Sequence, residues 1–379
     1  MTHNHFQLIM QCLHFWNNEA DNQDGRLRKV KPLFDLLVGR FKHVYIPKRQ
    51  ICVHEELILF KGRLGIKQYI PNKRSRFGIK IFALCCTSGY YWNASIYDGK
   101  PTVPLPMTDV LGQSGAVPVH LLSSLTNKGY HLYMDNFYNS LKLAEHMRYQ
   151  LGTFICGTMR ANRVGIPADL KDLNLAKGMY AYLRKGNTLL VKLHDKKVIY
   201  LVSTMHNAVM TATRKRNRDD QVVRRLTVNS DYNSHMGVWT RMIMMVNVYS
   251  GLHKSYKWYM KIAFHMIEEA VLNAYILYKQ QPGKRLQHYQ FVVAVANAMA
   301  RQGRDDQAAQ QNGPDRLIGR HWLELIPATE KKSAPTKKCV VCAPAKRKES
   351  RYQCKTCPSH PGLCVVPCFE HFHSKANYH

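Results

Sequence analysis

Six of the 11 cysteines stand in the last 41 residues, and they stand in pairs. Cys339 and Cys342 form one C-x-x-C and Cys354 and Cys357 a second. Cys364 and Cys368 follow, and His371 and His373 close the series. A pair at such spacing lets one short knuckle grip an ion. Thiolates and imidazoles taken in fours suit tetrahedral zinc. Clustering into C-x-x-C pairs, behind an N-terminus that lacks the basic and apolar regions of a secretory leader, favours metal over disulfides. The 11 residues between the first two pairs leave room for a loop, while the later spacing is too short for two modules in series. The pattern predicts a cross-brace of two structural Zn²⁺ ions. Cys339 and Cys342 would share one with Cys364 and Cys368, and Cys354 and Cys357 the other with His371 and His373. His360 is a spare donor for either histidine. A short basic tail with little apolar core needs the metal to fold.

The charge balance says what such a scaffold would meet. There are 55 Lys and Arg against 25 Asp and Glu, a formal net charge of +30. A field of that sign favours a polyanion, nucleic acid first and an anionic membrane surface second. No stretch has the length and apolarity of a membrane span, so DNA is the expected partner and no membrane is. The run KGRLGIKQYIPNKRSRFGIK, 61–80, holds seven Lys/Arg, no acidic residue and two aromatics, Tyr69 and Phe77. Lys61, Arg63, Lys67, Lys73, Arg74 and Arg76 are the expected phosphate contacts. In the tail, Lys346, Arg347 and Lys348 would be displayed around the zinc scaffold for the DNA backbone. A second patch, 214–225, carries six Lys/Arg. Crossed zinc folds also serve protein partners, so a chromatin-associated interaction module stays open.

The elements that must position these residues alternate between strand and helix. Residues 1–50 read as two helices, with apolar faces Phe6, Leu8, Ile9, Cys12, Leu13 and then Leu33, Leu36, Leu37, Phe41, a helical remnant of an N-terminal DNA-binding or dimerisation region. Residues 51–60, 79–87 and 90–99 read as strands, 100–117 as Pro/Gly-rich loop and 119–127 as a short helix. YHLYM, 130–134, is a strand with Asp135 at its end. Asn139 or Ser140 caps the next helix. A strand at 152–159 and a hairpin around 194–197 follow. A long helix over about 255–280 has Tyr259, Ile262, Ala263, Met266, Ala270, Ala274 and Leu277 on one face. Trp239 and the Met-rich run 242–245 read as core. The boundaries expected are a core over 51–290 with an inserted region of about 152–228, a polar linker over 291–330 and a zinc domain over 331–379. Cys12, Cys52, Cys85, Cys86 and Cys156 sit in apolar surroundings and read as buried thiols.

Several long motifs occur together in this order. EELILFKGRLGIKQYIPNKRSRFGIK (55–80), YHLYMDNFYNS (130–140), VNSDYNSHMG (228–237) with YKWYMKIAFHMIEEAVLNAYILY (256–278), and the cysteine-rich tail (339–373) resemble the conserved blocks of the piggyBac transposases. The resemblance is especially close to the element-derived protein 4 type. It covers essentially the whole chain. It implies an α/β fold: a ribonuclease-H-like transposase core with helical flanking segments and a small C-terminal cross-brace zinc domain. It also implies a nuclear protein, DNA as partner, a homodimer on paired element ends, and three Asp residues holding Mg²⁺ for cleavage at TTAA and strand transfer. This chain departs from the pattern where that chemistry is done. The resemblance places the first Asp at His54, the second at Asp135 and the third at Thr240. A lone carboxylate cannot position two Mg²⁺ ions. Glu55, Glu56 and Asp231 are the acidic residues that could substitute in a residual metal-dependent nuclease. A non-functional transposon remnant is the deflationary alternative.

Overall fold

The computed structural model describes residues 2–17, 25–71, 76–99, 105–216, 220–248, 255–311, 315–317, 319–342, 348–375 and 377. They fall into two compact units, Met1–Tyr289 and Gln290–His379. The first unit opens with helices α1 (His3–Cys12) and α2 (Lys31–Val44). There follow strands β1 (Gln50–Leu59), β2 (Gln68–Tyr69), β3 (Phe77–Cys86) and β4 (Tyr91–Ile96), and helix α3 (Thr108–Leu121). Next come β5 (His131–Met134), α4 (Leu141–Tyr149), β6 (Phe154–Met159) and α5 (Ala168–Asp172). Strands β7 (Tyr180–Lys185), β8 (Thr188–His194), β9 (Val198–Ser203), β10 (Met210–Arg216) and β11 (Val222–Leu226) lead to helices α6 (Thr227–Val248) and α7 (Trp258–Gln280).

The centre of the sheet is β4-β3-β1-β5-β6. β3 runs antiparallel to both β4 and β1, while β5 and β6 run parallel to β1. Three antiparallel strands followed by two parallel ones is the ribonuclease-H-like order. The sequence accounts for it: β3, FGIKIFALCC, is buried from Gly78 onward and rich in apolar and β-branched residues, as a central strand must be. Helices α6 and α7 pack on β1, with α6 also reaching β5, β6 and β9. The stretch between β6 and α6, read as an insertion, continues the same sheet through β9-β8-β7 and then projects a separate hairpin, β10-β11. Of the basic patch at 214–225, Arg216 lies on β10 and Arg224 and Arg225 on β11.

Several expectations change. α2 buries Phe34, Val38 and Phe41 with Leu33 and Leu37 packed beside them, while Leu36, expected on the same face, is 58% exposed. α1 buries none of its residues and Cys12 is exposed; Cys52, Cys85, Cys86 and Cys156 are buried. Residues 108–117 of the expected loop belong to α3, which ends at Leu121 rather than running over 119–127, and Gly112 takes a φ of 70° that joins two helical stretches. The polar 291–330 linker largely becomes α8 (His288–Gln311), because its Ala, Gln and Arg are good helix formers.

The second unit continues from α8 with short strands β12 (Leu323–Leu325), β13 (Lys337–Lys338), β14 (Glu349–Ser350) and β15 (Tyr352–Cys354), and helix α9 (Cys368–Ser374). β12 pairs with β15, so the cysteine-rich fold starts before the expected boundary at 331. Its small core is Leu363 and Phe372 among the cysteines.

Candidate active site and metal centres

The pairing of β1 with β5 ends with Val53 opposite Met134. His54 follows Val53 on β1, and Asp135 is the first residue after the end of β5. Asp135 turns the chain out of the sheet. Its Oδ1 accepts from the Phe137 N–H at 2.9 Å, and Ser140, in the turn that follows, caps α4 by accepting from the Leu143 N–H at 3.1 Å. On the far side of β5, Met134 faces Gly157. A Cβ there would lie 2.3 Å from the Met134 carbonyl, so only glycine allows β6 to approach this strand end.

His54 is 4% exposed, and its Nε2 lies 3.5 Å from Glu56 Oε1. The other Glu56 oxygen accepts from His265 Nε2 on α7 at 2.7 Å, and Glu269, one turn on, lies 3.9 Å from the same nitrogen. Burial resists charge on Glu56, but His265 and His54 together hold it below the usual carboxylate range. Burial, then the Glu56 charge, pushes Glu269 up. Burial opposes a proton on His265, and Glu56 outweighs it, so His265 is raised. Glu55 points to the other face, since neighbours on a strand alternate. There Lys80 Nζ binds its Oε2 at 2.5 Å and sits 4.0 Å from the centre of the Phe137 ring. Asp231, on α6, is likewise engaged: Tyr133 Oη donates to it at 2.6 Å, and His206 and His235 each lie 3.2 Å away. Burial raises its carboxyl, but these three partners hold it well below the ordinary range. Thr240 falls within the helical span of α6; its side chain and those of Trp239 and Met242 to Met244 lie outside the described residues.

The set does not fit Mg²⁺. A hard ion asks for several oxygen donors, and Asp135 and His54 offer one carboxylate and an imidazole. Among the described residues, Asp135 joins no group of three His, Cys, Asp or Glu donors within 4.8 Å of one another.

The tail presents two donor sets that do fit an ion. Cys339, Cys342, Cys364 and Cys368 bring four sulfurs within 4.8 Å of one another, with Cys342 and Cys368 at 3.2 Å. Burial resists ionisation of Cys339, but hydrogen bonds from the backbone of Cys342, Cys364 and Val341 bring its thiol down to about 7. The second set is His321, Cys354, Cys357 and His373. His321 Nδ1 lies 3.6 Å from the Cys354 sulfur and 3.5 Å from that of Cys357, and His373 Nε2 lies 3.5 Å from the latter. The Nδ1 of His373 bonds the Phe369 carbonyl at 2.8 Å, which leaves Nε2 as the donor facing the sulfurs. Four sulfurs, and two sulfurs with two imidazoles, are donor sets of structural zinc.

One expected ligand is therefore corrected: His321 takes the place assigned to His371. His371 and His373 both lie on α9, where two residues span about 200° of rotation, so they cannot face one ion. His360 instead bonds the Cys354 carbonyl through Nδ1 at 3.1 Å. His321 was missed because it precedes its cysteines by more than 30 residues. The readable signal was the strand after it, LEL, which pairs with β15 and so delivers His321 beside Cys354.

Of the expected phosphate contacts, Lys61, Arg63, Arg76 and Lys348 are exposed. Lys67 is half-buried, with its Nζ on the Gly62 carbonyl at 2.9 Å. Tyr69 and Phe77 pack together at 4.7 Å and remain 57% and 41% exposed, so an aromatic pair lies among these cations. Lys73, Arg74, Lys346 and Arg347 lie outside the described residues.

Residues 1–275 match the family described as Transposase IS4, and residues 320–374 the one described as DDE_Tnp_1-like zinc finger. The human PiggyBac transposable element-derived protein 3 is 22% identical over 94% of this chain and 61% of its own length. Human PiggyBac transposable element-derived protein 2 is 25% identical over 72% of this chain and 48% of its own. The chain thus spans less than two thirds of either relative. Among solved structures, the piggyBac transposase synaptic complex with hairpin DNA aligns with a TM-score of 0.67 at 22% identity, over 99% of this chain and 79% of that one.

Proposed function

Because the chain belongs to the Transposase IS4 family and is of the piggyBac type, we propose that it is a transposase-derived DNA-binding protein without ordinary DNA cleavage and strand-transfer activity. The observation that carries this reading is the strand pair at the sheet centre. His54, not a carboxylate, follows the last paired residue of β1 as Asp135 follows that of β5, and His54 lies in a buried network with Glu56. The resemblance places Thr240 at the third acidic position. Two of three carboxylates are then gone, and the acidic neighbours Glu55 and Asp231 are committed to Lys80 and to Tyr133, His206 and His235. What is retained is the means to hold DNA: a net charge of +30, exposed cations around Tyr69 and Phe77, and a tail with two donor sets that fit structural zinc. The reading includes a nuclear location and a homodimer, as the resemblance implies. The sequence motifs favour the element-derived protein 4 type among the relatives.

The test is a binding and cleavage assay on duplex DNA carrying TTAA, with Mg²⁺ or Mn²⁺. Binding without cleavage is expected. Replacing Arg63 and Arg76 by Ala should weaken binding and lower the salt slope by about 1 for each phosphate that is no longer neutralised. Robust metal-dependent cleavage that disappears in Asp135→Ala would overturn the proposal.

A further inference from the structure

Helix α7 carries a polar stripe on its buried side. His265, Glu269 and Asn273 follow at four-residue steps, which places them on one face. Asn273 is explained by the fold, since its side-chain amide closes on the backbone of Tyr91. His265 and Glu269 face Glu56 on β1 instead. Glu56, His265 and Glu269 offer three donor atoms within 4.8 Å of one another, and His54 Nε2 lies 3.5 Å from Glu56 Oε1. Glu56 is 7% exposed, Glu269 3% and His54 4%.

Two carboxylates in an apolar interior need compensation, because burying charge is costly unless it is paired. One imidazolium can balance one of them. The second must hold a proton or meet a further positive charge. A divalent ion with two carboxylates and one neutral imidazole sums to zero charge. Nitrogen and oxygen donors in such a mixture suit zinc and its first-row neighbours rather than Mg²⁺. We propose that Glu56, His265 and Glu269 bind one zinc-class divalent ion between β1 and α7. The ion clamps the helix to the central strand. It is closed off by the core and takes no substrate. It uses neither Asp135 nor the tail, so it does not rest on the proposed function.

The experiment counts zinc in the purified full chain by mass spectrometry, for wild type, His265→Gln and Glu269→Gln. Each variant is expected to hold one ion per chain fewer than wild type, whatever number the tail contributes. In the cobalt-substituted protein, the difference between wild type and His265→Gln should show weak visible bands and no thiolate charge-transfer band. Equal metal contents, or a difference spectrum of thiolate character, would mean a metal-free hydrogen-bonded network and overturn the proposal. Should the variants not fold, wild type decides alone. An organomercurial titrated into the native protein releases thiolate-held zinc. One ion per chain staying bound supports the site, and release of every ion overturns it.

Discussion

Asp231 shows how a single carboxylate here has been turned to holding the fold. Three donors converge on it from three elements: Tyr133 from β5, His206 from the loop after β9, and His235 from its own helix. His235 also stacks on Tyr133 with ring centres 4.3 Å apart. The pH dependence follows from the signs. The Asp231 carboxyl is depressed in the folded chain, so its contribution is present above the unfolded value of 3.8 and is lost as pH falls below it. His235 is raised, first by its hydrogen bond to Asp231, so its contribution is complete below 6.5 and is lost as pH rises through its folded value. Stability to urea that depends on this group should therefore be greatest between those two pH values. Asp231→Asn should flatten both flanks of the wild-type profile. An acid flank of unchanged steepness in that variant would refute the assignment. Single residues were unevenly legible in the sequence. The six tail cysteines announced themselves by spacing, since a C-x-x-C knuckle is a local geometry. His321 did not, because its approach to Cys354 depends on strand pairing rather than on local spacing. The partners of Glu56 were hidden for the same reason: Glu56 and His265 are more than 200 residues apart.

At the scale of elements, the helix that the sequence marked most clearly is also the one whose face it blurred. The expected stripe on α7 shares Ile262, Ala263 and Met266 with the buried face, but that face also holds Glu269, Leu272 and Asn273. Apolar periodicity finds a helix and cannot show that polar side chains share its inner side. Asn273 works as a strand partner. Its Oδ1 accepts from the Tyr91 N–H at 2.7 Å, and its Nδ2 donates to the Tyr91 carbonyl at 2.8 Å. Both backbone groups lie in the core, where an unmet one costs about 1–3 kcal/mol. Asn273→Ala should therefore destabilise the protein by roughly 2–4 kcal/mol, read as a fall in the unfolding midpoint with no loss of zinc from the tail. A change below about 0.5 kcal/mol, the range of surface substitutions, would mean that the amide does not hold β4. The strands, by contrast, were legible because runs such as IKIFALCCT are bounded by turn residues. The helix at 288–311 was not, since a polar composition fits both a linker and an exposed helix.

For the whole molecule the question is what keeps the second unit folded. The first unit has an extended apolar core running through the sheet and its helices. The second has a buried cluster in which five cysteines surround Leu363 and Phe372. Two apolar side chains cannot offset the ordering of a chain this long, at about 1–2 kcal/mol per residue. The binding energy of a structural zinc, about 10–16 kcal/mol in small finger peptides, is of the right size. In such a fold metal binding and folding are one event, and the first unit, with its own core, should not take part in it. Cys354→Ser removes a ligand and lies in β15, so it should release one zinc and break the pairing with β12 that delivers His321. Limited proteolysis should then cut within 320–375 while the first unit stays resistant, and thermal unfolding followed by Trp92 should keep its wild-type midpoint. If Cys354→Ser kept all its zinc, the second donor set would not be a site. A lowered midpoint for the first unit would show that the two units do not fold independently. DNA affinity measured on the same variant separates the cations around Tyr69 and Phe77, which the change leaves in place, from those the tail presents on its zinc scaffold.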